Sequence, residues 1–395
     1  MIHIFINALA ATAGGGLTYV RNVIPHVGSR GDIRATVLLN ARLRSELPPS
    51  DNIAFIEQEI PAGAINRIWF EQRTVRELIG RCGANVLLSA GNFALLNSPV
   101  PQILLSRNSL YTSRDFYRDL HTRGDYRLWL DTLLKSAFAK WSIQNADRVV
   151  APSKAFAAEL QAWTGKPISA IHHGFDREAF VRDQSAPPGD MCQLLRSAPN
   201  ALRLLFVSHY NYYRNFETLI QSLPLIKRQI KPRMVRLFLT CKLAAGANPG
   251  GYRTDLAASL IRNLRLSDEV IELGAVPYQL LHYVYRAVDI YVSPAYAESF
   301  AHPLVESMSS GLPVVASDLA VHREICDSAA LYFDRFSPSQ LAERVADIAE
   351  SPRLARQLSQ AGVERSAQFS WSLHADRILQ LANALSSRGT GMHEN

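Results

Sequence analysis

Two glutamates, Glu298 and Glu306, stand eight positions apart in "AESFAHPLVESMSSGLPVVAS", with a proline and a short apolar run between them. Two neighbouring carboxylates can cut a glycosidic bond, hold a metal, grip sugar hydroxyls or simply face water. A glycosidase pair flanks its sugar from opposite sides, whereas these two share one segment. Ile290–Val292 before them is strand-like, Pro303 suits the first turn of a helix running to Ser310, and Gly311 supplies its stop. The backbone N–H groups of Ser299, Phe300, Ala301 and His302 are then expected to open that helix and offer an anion site. Glu298 would precede it and Glu306 lie one turn inside, an arrangement suited to vicinal hydroxyls, which a carboxylate binds strongly. For Glu306 the alternative is a solvated helix position.

A similar device comes earlier. Gly14, Gly15 and Gly16 lie between a first strand and a helix expected to open near Leu17, where glycines let backbone approach a ligand closely. A plain flexible turn is the alternative, and the spaced glycines of a dinucleotide site are absent. In "FVSHYNYYRNFETLIQSL", Arg214 sits in a loop after a strand and can meet an anion with a charge it does not lose. Tyr210, Tyr212 and Tyr213 either stack on a ligand or pack against the loop, and Phe216, Leu219, Ile220 and Leu223 read as the core face of the next helix.

The elements that must position these residues alternate. Strands are expected at Ile2–Ile6, Ala35–Leu39, Asn85–Ser89, Gln102–Leu105, Arg148–Ala151 and Ser169–His172, separated by amphipathic stretches such as Leu17–Val27 and Ile65–Ile79. A second series follows at Leu202–Val207, Val235–Cys241, Val270–Leu273, Ile290–Val292 and Pro313–Ala316, and the last helices run from Ser337 to Leu385. Apolar strands alternating with helices imply parallel sheets covered on both faces. The looser stretch "VRDQSAPPGDMCQLLRSAPNA" is the expected linker, so the fold class is two α/β units with ligands beyond the carboxyl ends of the strands, in a crevice between domains.

The chain has 395 residues, too many for one ordinary core, and is 48% apolar and 19% charged. A net charge of +7 favours anionic partners such as nucleotide phosphates, a lipid phosphate or a membrane surface. No basic run or aromatic-basic repeat points to nucleic acid. Cys82, Cys192, Cys241 and Cys326 are widely spaced, which suggests neither zinc nor a disulfide framework and fits a reducing cytoplasm. The start "MIHIFINALAATAGGG" lacks a basic n-region and reads as a buried strand. Residues 82–106 carry no charge, but their Asn, Gly and Pro residues make them two strands and a loop, not a membrane span.

At this point the motifs resemble glycosyltransferase family 4, the retaining, nucleotide-sugar-dependent transferases of the GT-B fold. "PAYAESFAHPLVESMSSGLPVVAS" is similar to the family's E-x7-E segment; "VVAPSKAFAAEL", "IHHGFDREAF", "ELGAVPYQLLHYVYRAVDIYVSP", "AALYFD" and "FSW" follow the family's order. The resemblance implies two Rossmann-like parallel-sheet domains facing across a central cleft: residues 1–185 for the acceptor, 186–370 for the donor, and 371–395 as a C-terminal helix, packing back on the first domain, and tail. It places Glu298 on the donor sugar's hydroxyls, Glu306 on the ribose, Arg214 on the diphosphate, Gly14–Gly16 near the same phosphates, and the backbone of Gly274–Val276 near the base. Two positions depart from the pattern. His209 stands where the family often has an arginine, and either donates to a phosphate when protonated or caps the strand. Arg107, Asn108 and Ser109 stand where many members keep a histidine; Arg107, Asn108 and Tyr111 are acceptor-site candidates.

The implied reaction moves a sugar, with retained configuration, from a GDP- or UDP-linked donor to a hydroxyl of a saccharide or lipid-linked glycan. No cofactor or metal is expected, and no Asp-x-Asp occurs. Arg214 and Glu298 are the catalytic candidates. Ser106–Trp141, basic and aromatic, is expected either to rest on an anionic membrane or bind a lipid diphosphate, or to be a solvated helix pair; the protein would be cytoplasmic or peripheral on the inner face of the membrane. The alternatives are a nucleotide-sugar epimerase and a degenerate, non-catalytic nucleotide-sugar-binding subunit.

Overall fold

A computed structural model describes residues 1–11, 14–59, 64–183, 186–197 and 200–390. The chain forms two compact units, one of Met1–Thr112, Asp125–Gly174 and Ser370–Asn395, the other of Ser113–Gly124 and Phe175–Phe369.

The first unit is built on a seven-stranded parallel sheet: β1 (Ile2–Asn7), β2 (Ile33–Leu39), β3 (Ile53–Glu57), β4 (Val86–Ser89), β5 (Gln102–Leu105), β6 (Arg148–Ala151) and β7 (Ser169–Ala170), in the order β3-β2-β1-β4-β5-β6-β7. Every residue of β1 is buried, because helices cover both faces; Ile4 pairs with Ala35 on one side and Val86 on the other. The first helix spans Gly14–Gly28, so the three glycines form its opening turn and do not precede it. Residues 12 and 13, just ahead of it, lie outside the described residues.

The C-terminal helix Trp371–Thr390 belongs to this unit. Its Ala375, Ile378, Leu379 and Ala382 recur at helical spacing and are buried in the core beneath β1 and the Gly14–Gly28 helix. The contact at its start explains a glycine of "IHHGFD": a Cβ on Gly174 would lie 2.0 Å from the Trp371 backbone nitrogen.

The second unit has a six-stranded parallel sheet: β8 (Leu202–Phe206), β9 (Val235–Leu239), β10 (Val270–Glu272), β11 (Ile290–Ser293), β12 (Val314–Ser317) and β13 (Ala330–Phe333), ordered β10-β9-β8-β11-β12-β13. Phe216, Leu219, Ile220 and Leu223 of the Phe216–Gln229 helix are wholly buried, as their spacing predicts.

Three features differ from the sequence reading. β3 and β13 were not expected as strands; both are short edge strands with mixed burial, although Ile-Ala-Phe-Ile of β3 and Ala-Leu-Tyr-Phe of β13 are apolar runs. The expected linker contains a helix, Gly189–Arg196, that buries Met191 and Leu195, while residues 184–185 and 198–199 lie outside the described residues. The chain leaves the first unit at Gly174, not near residue 185: Phe175 packs against Phe180, and Phe180 packs with Tyr278 and Tyr285 of the second. Among the described residues, no helix is long and apolar enough to cross a membrane.

Candidate functional site

In a parallel sheet every strand ends on the same edge, so neighbouring strands deliver their loops side by side. β8 and β11 are paired neighbours. The loop after β8 carries Arg214 and the loop after β11 carries Glu298, which is why residues 84 positions apart meet: Arg214 Nη1 donates to Glu298 Oε2. Three further bonds hold the loops, two between them and one to Arg335. Tyr296 N donates to Tyr213 O at 2.9 Å, and Asn215 Nδ2 donates to Pro294 O at 3.1 Å and Arg335 O at 2.6 Å. Asn215 holds a left-handed backbone, φ 56°, that asparagine tolerates better than most residues, and it opens the next helix.

Both partners of the pair are largely buried, Arg214 at 18% and Glu298 at 9% side-chain exposure. Burial works against the Arg214 charge, but Glu298 together with Tyr213 and Tyr291 outweighs it and raises its pKa. Arg214 Nε is buried with no hydrogen-bond partner among the described residues.

The segment after Glu298 turns through Ala301, whose φ of 67° is an unusual left-handed conformation for alanine, into the His302–Ser309 helix with Pro303 in its first turn and Gly311 (φ 76°) beyond its end. Ser299 N donates to Glu298 Oε1 at 3.3 Å. The Phe300 ring packs edge-on to Phe369 and against His302, so the ring is part of the packing of this turn. Glu306 is 4% exposed, which excludes the solvated reading. Tyr285 donates to its Oε2 at 2.9 Å. Burial pushes the Glu306 carboxyl up to about 7, against the opposing pull of that hydrogen bond.

His209 lies exposed in the Arg214 loop, its basicity lowered by partial desolvation and then by the Arg214 charge. Tyr210 and Tyr212 are fully buried, so of the two readings packing prevails. Gly274, at φ 83°, turns the chain after β10 beside Lys242, and Val276 is half-buried just beyond it. His322, wholly buried, feels the Glu298 charge. Its Nδ1 lies 2.9 Å from Ser317 O and 3.1 Å from Ser317 Oγ, and its Nε2 has no partner among the described residues. Burial lowers its pKa to about 4, so it is neutral near pH 7, although Glu298 pulls the other way.

Two family models match the chain: Glycosyltransferase Family 4 over residues 13–179 and Glycosyl transferases group 1 over residues 195–365. The chain belongs to glycosyltransferase family 4. The D-inositol 3-phosphate glycosyltransferase of Thermobispora bispora is 27% identical to this chain over 241 residues, 60% of this chain and 55% of its own length. That of Segniliparus rotundus is 26% identical over 245 residues, 60% of this chain and 52% of its own length. The match thus spans about half the length of these curated relatives. Among solved structures, sucrose-phosphate synthase from Thermosynechococcus elongatus gives a TM-score of 0.77 at 19% identity over 98% of this chain and 100% of that one. Anabaena HepE in complex with UDP-glucose gives 0.71 at 17% identity, over 98% and 100%. At such identities the likeness shows the fold, which is GT-B.

In the first unit, Arg107 meets the glycine turn. It donates through Nη1 to Gly15 O at 3.0 Å and through Nη2 to Ala90 O, and its guanidinium lies 5.1 Å from the Tyr19 ring. Burial lowers its pKa to about 10, so it stays charged. A Cβ on Gly16 would come into ordinary contact with Ala11, 3.4 Å from its Cα, and with Arg107, 3.6 Å from its Nη2. Asn108 is spent as a cap, accepting from Leu110 N at 3.0 Å, and Tyr111 is buried against Phe93. The sequence reading did not find Tyr285, Asn215, Ser317 or His322. Only Asn215, standing before a helix after a loop, left a local signal; Tyr285 precedes Glu306 by 21 residues with no shared motif.

Proposed function

We propose that the second unit binds a GDP- or UDP-linked sugar and that the transferase moves this sugar, with retained anomeric configuration and without a metal, to a hydroxyl of a saccharide or lipid-linked glycan. The observation that carries this reading is the buried Arg214–Glu298 pair beside the buried carboxyl of Glu306, gathered at the carboxyl edge of one parallel sheet. Two acidic groups and a guanidinium next to a helix start match a ligand that carries both hydroxyls and a diphosphate. Structural neighbours crystallised with UDP and UDP-glucose support a nucleotide-sugar donor. The relatives' names add inositol phosphate to the acceptors to assay.

In this reading Glu306 accepts from the ribose hydroxyls and Glu298 from the sugar's, while the Gly274–Val276 backbone borders the base. Arg214, His209 and the N–H groups of the Ser299–His302 turn face the diphosphate. The bond from the anomeric carbon to the phosphate oxygen breaks as the acceptor oxygen bonds to the same face. The acceptor's proton passes to the leaving phosphate. Charge develops on the diphosphate, where a preorganised donor contributes about 10²–10³ in rate.

Thermal shifts with UDP, GDP and ADP test the binding step, because a ligand of the folded state raises Tm. Arg214→Ala is expected to abolish turnover in protein that still folds; near-normal turnover defeats the assignment. Product formed from donor alone would favour the epimerase.

One observation favours peripheral membrane contact as well. The Tyr126–Asn145 helix buries its small and polar residues, Thr132, Ser136 and Ser142, and exposes Tyr126, Leu130, Leu133, Leu134 and Trp141. Arg127, Lys135 and Lys140 flank this outward apolar face, the composition of a helix that lies on an anionic bilayer.

A further inference from the structure

The helix Arg114–Thr122 comes from the first third of the sequence, yet it belongs to the second unit, with the chain passing to the first unit at both ends. Phe116 and Leu120, one turn apart, are wholly buried, and Ser113 caps the helix by accepting from Phe116 N at 3.2 Å. Its polar side chains go to two places. Asp119 Oδ1 accepts from Arg123 Nε at 2.7 Å, and Asp119 Oδ2 accepts from the Tyr296 hydroxyl at 2.7 Å. Arg123 Nη1 donates to Glu217 Oε1 at 3.2 Å, which also accepts from Tyr210 at 2.7 Å, and the Arg123 guanidinium stacks 4.2 Å from the Tyr212 ring.

Tyr212 lies two residues before Arg214, and Tyr296 two residues before Glu298. One helix therefore grips both loops of the Arg214–Glu298 pair at equivalent places. We propose that Asp119 and Arg123 are positioning residues, setting the geometry of that pair through Tyr296 on one loop and through Glu217, Tyr210 and Tyr212 on the other. Arg335 reinforces the grip, donating through Nε to Asp115 at 2.8 Å while its carbonyl holds Asn215. A buried ion cluster is a weak stabiliser compared with apolar packing of the same volume, but it permits few arrangements, which is what a preorganised site requires.

The kinetic half of the test rests on the donor site proposed above; the exchange half does not. Asp119→Asn, Tyr296→Phe, Arg123→Ala and Arg123→Lys are compared with the parent, with surface Arg344→Ala as control. Donor KM and kcat are measured well below each variant's Tm, and hydrogen exchange is followed by mass spectrometry over residues 210–214 and 296–299. The expected result is a loss of about 10- to 100-fold in kcat/KM for Asp119→Asn, Tyr296→Phe and Arg123→Ala, partial recovery in Arg123→Lys, and faster exchange confined to the two loops. Lowered Tm with parental kinetics and parental loop exchange would overturn the proposal. If the parent turns over no nucleotide sugar, the donor reading fails, and exchange in the two loops still decides the positioning role.

Discussion

Glu306 combines a buried carboxyl with a hydrogen-bond donor, Tyr285. Its carboxyl, at about 7 against an ordinary 4.5, is largely protonated below neutrality because burial disfavours the charge. A raised carboxyl pKa contributes stability that is fully present below the unfolded value and is lost as pH rises through the folded one. That difference is worth about 3 kcal/mol. Glu306→Gln, which cannot ionise, is expected to be more stable than the parent at pH 8 and closer to it at pH 5, read by urea denaturation. In the proposed site the ionised form accepts from the ribose, so nucleotide affinity should rise between pH 6 and 8 and binding at pH 6.5 should release a proton. Calorimetry in buffers of different ionisation enthalpy reads that proton directly; proton uptake would contradict the role. Glu298, Glu306 and Arg214 were legible because charged residues inside apolar motifs demand an explanation. Tyr285 and His322 were not, because an aromatic or a histidine on a helix facing the core looks like ordinary packing until its partner is seen.

Among the elements, the strands that were easiest to read are those buried on both faces, β1, β4 and β11, whose residues are all buried. The edge strands β3 and β13 are short apolar runs without alternation, which period alone does not distinguish from a buried helix segment. The region after Phe180 looked like a linker because prolines surround it, yet Met191 and Leu195 anchor a helix there. Gly174 shows the opposite case, a residue whose requirement comes wholly from tertiary contact. Gly174→Ala would drive a methyl group into the Trp371 backbone and is expected to cost about 3 kcal/mol. Denaturation should show the loss in the first unit, whose core holds the C-terminal helix. An unchanged midpoint would mean that this helix does not dock at Gly174.

For the molecule as a whole, alternation of strand and helix was enough to read two parallel sheets, and the family models bear out the resemblance across both halves. The passage of Ser113–Gly124 into the second unit had no sequence signal, because sequence proximity argues for the first. The net charge of +7 and the exposed apolar face of Tyr126–Asn145 belong to this scale too. The parent should sediment with vesicles rich in anionic lipid at low salt and be released at high salt. Leu130→Glu with Leu134→Glu should abolish sedimentation while nucleotide binding persists; vesicle-independent association of the parent, lost in the same variant, would instead identify a second copy as the occupant of that face.

The central claim is that the second unit holds a nucleotide sugar through Arg214, Glu298 and Glu306. A crystal structure of the protein soaked with its preferred nucleotide sugar tests it most directly. The account predicts the ribose hydroxyls on Glu306, the transferred sugar's hydroxyls on Glu298, and the diphosphate against Arg214 and the Ser299–His302 backbone. A ligand bound elsewhere, with the Arg214–Glu298 pair untouched and Glu306 bonded to Tyr285 alone, would contradict it.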